Sequence, residues 1–166
     1  MKKILVAVDY SPSAQRVAEQ AHVLAKSMNT SMVIVHVLND VMYYSSSTYD
    51  PIMGFGGFVN DDFLTENSKQ KVVDEAYRFL EKIKIHLGDS TIETEVLHGE
   101  ISDSILSASK KRNCGLVVIG THSRNKLEAL FVGSTAHLML KYSRIPVVVV
   151  PIKFKPIKGS DLLLEG

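Results

Sequence analysis

The chain has little of what marks several large classes of protein. A single cysteine, Cys114, excludes an internal disulfide, and its place where a helical pattern hands over to an apolar run makes it a packed thiol rather than a redox group. There is no excess of either charge. Nineteen Lys+Arg stand against 18 Asp+Glu in 166 residues, a formal charge of +1, which leaves no electrostatic footprint for nucleic acid or for an anionic membrane. No apolar run approaches the ~18 residues of a membrane-spanning helix, and Met1-Lys2-Lys3 leads directly into a strand-like segment, without the apolar region and cleavage site of a signal peptide. The expectation is a cytoplasmic protein. Neither GxGxxG nor GxxxxGK[ST] occurs, so the tight phosphate-binding turns are excluded. His36, His98 and His122 fall at strand ends, but without the nearby carboxylates or cysteines that complete a zinc site, and no metal-ligand set is expected.

What is present is a regular alternation. With 45% hydrophobic residues the chain can bury the core of one compact domain. Residues 4–8 form a continuous apolar run closed by Asp9, and Ser11-Pro12 then reads as an N-cap followed by a proline at the first helical position. Ala14, Val17, Ala18, Ala21, Leu24, Ala25 and Met28 trace one apolar stripe at helical spacing. Residues 32–38 are a second buried strand interrupted only by His36, and two such strands joined by a helix make a right-handed βαβ unit in a parallel sheet. The pattern then breaks over residues 39–67, where Tyr43, Tyr44, Tyr49, three serines and Gly54-Phe55-Gly56-Gly57-Phe58 show no period, so a mobile loop is expected. Helical spacing returns from about Ser68 through Val72, Val73, Ala76, Leu80, Ile83 and Leu87 to a C-capping Gly88. Residues 91–97 alternate like an edge strand with one exposed side, and Ile101, Ile105 and Ala108 mark a third helix.

The apolar run 116–119 reads as a strand buried on both faces and stops at Gly120. A last helix runs from Ser134 through Leu138, Met139 and Tyr142. The final strand, 145–150, contains four valines between Pro146 and Pro151; a proline removes a ladder donor, so this strand belongs near an edge. Residues 152–166 read as a tail, either disordered or docked on another subunit. Five strands alternating with four helices make a single doubly wound α/β domain, a five-stranded parallel sheet with helices on both faces and a ligand site beyond the C-terminal strand ends.

The most chemistry lies between residues 115 and 135. A strand ending in Gly120, and Gly133-Ser134-Thr135 opening an apolar-periodic segment, offer close backbone approach, N–H donors and the positive end of a helix dipole, which suits phosphate. Twelve residues separate the two glycines, so the loop must arch over its ligand, with Leu127, Leu130 and Phe131 forming a short helical turn. Ser134 is placed to cap the helix. Asp9 could accept hydrogen bonds from a ribose or an adenine amino group, or cap a turn. Arg124 and Lys126 could neutralise a triphosphate or be solvated.

Gly120-x-x-Ser123-(nine residues)-Gly133-Ser134 resembles the G-x-x-G-x9-G-[S/T] nucleotide loop of the universal stress protein family. Ile4-Leu5-Val6-Ala7-Val8-Asp9-Tyr10-Ser11, Val35-His36-Val37, Gly99-Glu100-Ile101 and Ser143-Arg144-Ile145-Pro146-Val147-Val148-Val149-Val150 match in the same order, so that the resemblance spans about residues 2–151. One position departs. Ser123 stands where ATP-binding members have a second glycine; its hydroxyl can donate to a phosphate oxygen, but serine lacks glycine's freedom at positive φ.

The resemblance implies strand order 3-2-1-4-5, with the switch between strands 4–8 and 116–119. It implies binding of ATP or a related adenine nucleotide by Ala7, Val8, Asp9, Val37, Ile119, Gly120, His122, Ser123, Arg124, Gly133, Ser134 and Thr135, with Mg2+ or Mn2+ held through the phosphates. Ala7, Val8 and Val37 would line the base pocket. It also implies a homodimer through strand 145–150, and a nucleotide-binding domain over residues 1–151, with the tail from 152 outside it. The implied role is a stress-response binding and signalling module with at most slow ATP turnover. The alternatives are a nucleotide-independent dimeric interaction protein and an enzyme on the same fold. Asp9-Tyr10-Ser11-Pro12-Ser13 lacks the SGGxDS loop of pyrophosphatase-type relatives, and His98 stands where a phospho-acceptor receiver needs Asp.

Overall fold

The computed structural model describes residues 2–39, 66–121 and 133–152. Among these residues strands and helices alternate as β1 (Lys3–Ala7), α1 (Ala14–Ser27), β2 (Met32–Leu38), α2 (Glu66–Leu87), β3 (Glu93–His98), α3 (Ile101–Lys111), β4 (Cys114–Gly120), α4 (Ser134–Tyr142) and β5 (Val147–Val150). The five strands form one sheet in the order β3-β2-β1-β4-β5, and every pair is parallel. This is the doubly wound topology expected from the alternation. All seven residues of β2 are buried, as a strand covered on both faces requires.

Two cores flank the sheet. One joins Ile4, Val6, Met32, Ile34, Leu38 and Val118 to α1 and α2 through Val17, Ala18, Ala21, Ala76 and Leu80. The other joins Leu5, Val33, Val35 and Val117 to α3 and α4 through Ile105, Ala108, Ala136 and Met139. Each fully buried Leu, Ile or Val contributes about 1.5–3 kcal/mol relative to an exposed one. The small residues on α1 let that helix lie close to the central strands. His22 and Lys26 of α1 meet Asp89, and Glu19 meets His86, so polar contacts tie α1 to α2 and to the turn after it. The Cys114 thiol is buried at the start of β4, and its pKa is pushed up by that burial.

Several boundaries differ from the sequence expectation. Ser11 and Pro12 do not start α1. They form a turn in which the Ala14 N–H donates to the Ser11 carbonyl (3.1 Å), and Ser13 becomes the N-cap. Met28, expected on the buried stripe, is exposed just past the end of α1. The last strand begins at Val147, because Pro146 can only accept, taking the Val117 N–H on its carbonyl (3.0 Å). α1, α2 and α3 are each followed by a residue with left-handed φ: Asn29 (48°), Gly88 (63°) and Asn113 (51°). The central part of loop 39–67, the turn around Leu127, Leu130 and Phe131, and the tail beyond Ile152 lie outside the described residues.

Candidate functional site

From β1 the chain steps to β2 and β3 on one side of the sheet, then returns to place β4 and β5 on the other. The connections after β1 and β4 therefore leave in opposite directions, so the ends at Ala7 and Gly120 flank the switch point, where a doubly wound sheet places its ligand crevice. Ala7, Val37 and Ile119 belong to the core shared with α3 and α4, so the three share one face of the sheet at this end. Val8 belongs to the opposite core. Of the apolar residues expected to line a base pocket there, Val8 can contribute its backbone alone.

The exit of β1 is held by side chains. The Val8 N–H still donates to the Val35 carbonyl (3.0 Å), as a parallel ladder requires. The Val8 carbonyl, however, accepts from Nδ1 of His36 (2.8 Å). In a parallel ladder of this register that carbonyl would take the N–H of Val37. The Val35 carbonyl faces β1 and the Leu38 carbonyl faces β3, where it accepts from Gly99 (3.1 Å), so by alternation the N–H and carbonyl of Val37 face the β1 side. They come just after the last paired rung, Ala7 with Val35. A donor and an acceptor are thus presented together at the mouth of the crevice.

Asp9 follows, exposed, and its Oδ1 accepts from the Ser11 N–H (3.1 Å). This is a turn-capping bond. Tyr10 covers the buried His36, their rings 4.3 Å apart and tilted, and Phe79 of α2 packs tilted at 4.8 Å from Tyr10 and edge-on at 5.8 Å from His36. Burial lowers the pKa of His36, opposed by its bond to Val8 and by the charge of Asp9. Because Nδ1 donates to a carbonyl, Nε2 carries the lone pair, and it is buried without a hydrogen-bond partner. His36 therefore enters the site as a hydrogen-bond donor to the strand beside it. The one polar residue in an apolar strand was the signal available in the sequence; its target was not.

On the other wall, a Cβ on Gly120 would lie 2.9 Å from Val17 Cγ2 and 3.0 Å from Ile152 Cδ1. The close approach this glycine permits is to α1 and to the residue beyond β5. The next residue, Thr121, donates its N–H to the Val150 carbonyl (2.9 Å) and accepts the Ile152 N–H on Oγ1 (3.0 Å). Neither Thr121 nor Ile152 stood out in the sequence. At the far end of the arch Gly133, not Ser134, is the N-cap of α4, with φ −53°, a conformation open to any residue. The first intrahelical bond runs from His137 N–H to the Gly133 carbonyl (2.9 Å), so the N–H groups of Ser134, Thr135 and Ala136 have no acceptor within the helix. Ser134 is exposed and Thr135 half-buried. His122, Ser123 and Arg124 lie outside the described residues.

The family model for the Universal stress protein family matches residues 1–151. The chain belongs to the universal stress protein family. It is 27% identical over 150 residues to universal stress protein YxiE of Bacillus subtilis, covering 89% of this chain and 97% of that one. The solved structure of MJ0577 from Methanocaldococcus jannaschii superimposes with a TM-score of 0.69 at 21% identity, covering 93% of this chain and 98% of that one. A universal stress protein in complex with cAMP matches with a TM-score of 0.63 at 15% identity, over 92% of this chain and 98% of that one. The Archaeoglobus fulgidus universal stress protein in complex with dAMP matches at 0.59 and 21%, over 90% and 98%. These three similarities establish a common fold with this universal stress protein. None of the described helices is long and apolar enough to cross a membrane.

Proposed function

We propose that this universal stress protein is a binding module for ATP or a related adenine nucleotide, seated beyond the ends of β1, β2 and β4. The observation that carries the reading is the donor and acceptor of Val37, left beside the end of β1 above the Ala7, Val37 and Ile119 face. An adenine edge offers a complementary acceptor and donor, as N1 and the 6-amino group do. The amino end of α4, with its N–H groups unclaimed within the helix, supplies the setting for phosphates. In this reading Gly120, His122, Ser123, Arg124, Gly133, Ser134 and Thr135 form the phosphate arch, and Mg2+ or Mn2+ is held by phosphate oxygens and water. Fold relatives in complex with cAMP and dAMP support the adenine. The role is binding and signalling in the cytoplasm, not catalysis, by residues 1–151 of a homodimer joined through β5.

Gly120 does not discriminate against one competing reading. Val17 and Ile152 require that glycine whether or not a phosphate binds, so its presence is equally expected of a nucleotide-independent dimer. Mass spectrometry of the small molecules released from the denatured, purified protein separates the two: an adenine nucleotide is expected. Calorimetry then tests the site. Gly133→Val fits the backbone at φ −53° but places bulk where phosphate would approach, and ATP affinity should fall at least about tenfold. Equal affinity in both proteins would remove the arch from the site.

A further inference from the structure

β2 is apolar at every position except His36, and an aliphatic residue there would pack without an orphaned atom. Instead a buried imidazole uses one nitrogen and leaves the other unsatisfied. Burying a polar atom without a partner costs stability, so the fold alone favours valine or leucine at this position. What the histidine does locally is specific. It takes the Val8 carbonyl at 2.8 Å, the acceptor that the next rung of the β1–β2 ladder would give to the Val37 N–H. We propose that His36 is a positioning residue for the ligand site: its imidazole ends the ladder at Val8, and so keeps the backbone edge of Val37 available to a ligand instead of to β1.

The ring is well placed for that task. It is 3% exposed and packed between Tyr10 from the β1 exit and the edge-on ring of Phe79 from α2, so its direction is set by two elements at once. The Val8 bond fixes the tautomer with the proton on Nδ1. Without that donor the Val8 carbonyl would be a buried acceptor, and the nearest backbone donor in register is Val37. The ladder would then close by one rung across the mouth of the crevice. A ligand would have to break that rung before it could use the same N–H. The proposal rests on the nucleotide reading for the ligand's identity only; the state of the ladder is a property of the free protein.

The test has two arms. In labelled, nucleotide-free protein, a through-hydrogen-bond coupling between Val37 N and the Val8 carbonyl carbon is expected to be absent in wild type. It should also be absent in His36→Asn, whose side-chain amide can donate from the place of Nδ1, and present in His36→Leu. In ATP titrations, His36→Leu should bind about tenfold more weakly, the range of one lost hydrogen bond, while His36→Asn stays within about threefold of wild type. If His36→Leu does not fold, His36→Gln, which presents its amide at the Nε2 end, serves as the donor-lacking variant. A Val37-to-Val8 coupling in wild type would overturn the proposal. So would a donor-lacking variant that shows no coupling and unchanged affinity. Failure of wild type to bind any adenine nucleotide would sink the nucleotide reading instead, and the coupling arm would still decide the role of His36.

Discussion

A methyl group added to Gly120 would meet the stiff, buried Val17 on one side and the end of Ile152 on the other. Ile152 can swing, but Val17 is fixed in the α1 core, so part of the overlap must be absorbed by the backbone. Gly120→Ala should therefore destabilise the ligand-free protein by about 1–2 kcal/mol, the usual cost of overpacking. Urea denaturation of Gly120→Ala in wild-type and Val17→Ala backgrounds checks this, with the smaller loss expected where Val17 is already truncated. An undiminished midpoint in Gly120→Ala would mean that the glycine serves only a ligand. The position was legible in the sequence, because an apolar run that stops at glycine marks a strand end. The reason was not, since Val17, Gly120 and Ile152 come together only through the order of the strands. Asp9 behaves likewise: its place at the rim could be read, but its bond to the Ser11 N–H depended on a turn that Ser11-Pro12 disguised as a helix start.

At the scale of elements, the strands and helices could be read because their periods differ: unbroken apolar runs for β1, β2 and β4, and spacing of three and four for the helices. The ends were harder. Gly88 declares itself, but Asn29 and Asn113 do the same work after α1 and α3, and asparagine is too common in turns to be singled out. β5 was expected at an edge and lies there, with Val147, Val148 and Val149 half-buried and β4 as its neighbour among the described strands. An open valine edge is an association template. Pairing with its own copy across a two-fold axis would cover it and bury apolar surface worth about 25 cal/mol per Å² before the cost of association. Val148→Lys should then give monomer or insoluble protein, whereas wild type should sediment as a dimer at micromolar concentration. Monomeric wild type would contradict the proposed homodimer.

For the whole molecule, the cluster of Tyr10, His36 and Phe79 joins the exit of β1, the middle layer and α2, and it bounds stability on both sides of neutrality. His36 is held below its ordinary 6.5 chiefly by burial, so the unfolded chain takes up a proton more readily, and stability falls as pH drops below about 6.5. The phenol of Tyr10 is pushed from 10.0 up to about 12 by burial and by the charge of Glu75, so stability falls again as pH rises from 10 towards 12, where only the unfolded chain ionises. Melting temperature against pH should show both limbs, and Tyr10→Phe should make the alkaline one shallower without touching the acid one, leaving the part that the buried Cys114 thiol contributes. An unchanged alkaline limb in that variant would assign it to other groups. The strand order also has a consequence in time. β1 lies at the centre of the sheet but is the first of the five described strands to leave the ribosome, and its neighbour β4 begins only at Cys114. At ordinary rates of synthesis, about 5–20 residues per second, one edge of the nascent β3-β2-β1 half-sheet stays unpaired for seconds. During that interval the chain offers a second open edge, on β1, to chaperones or to another copy of itself.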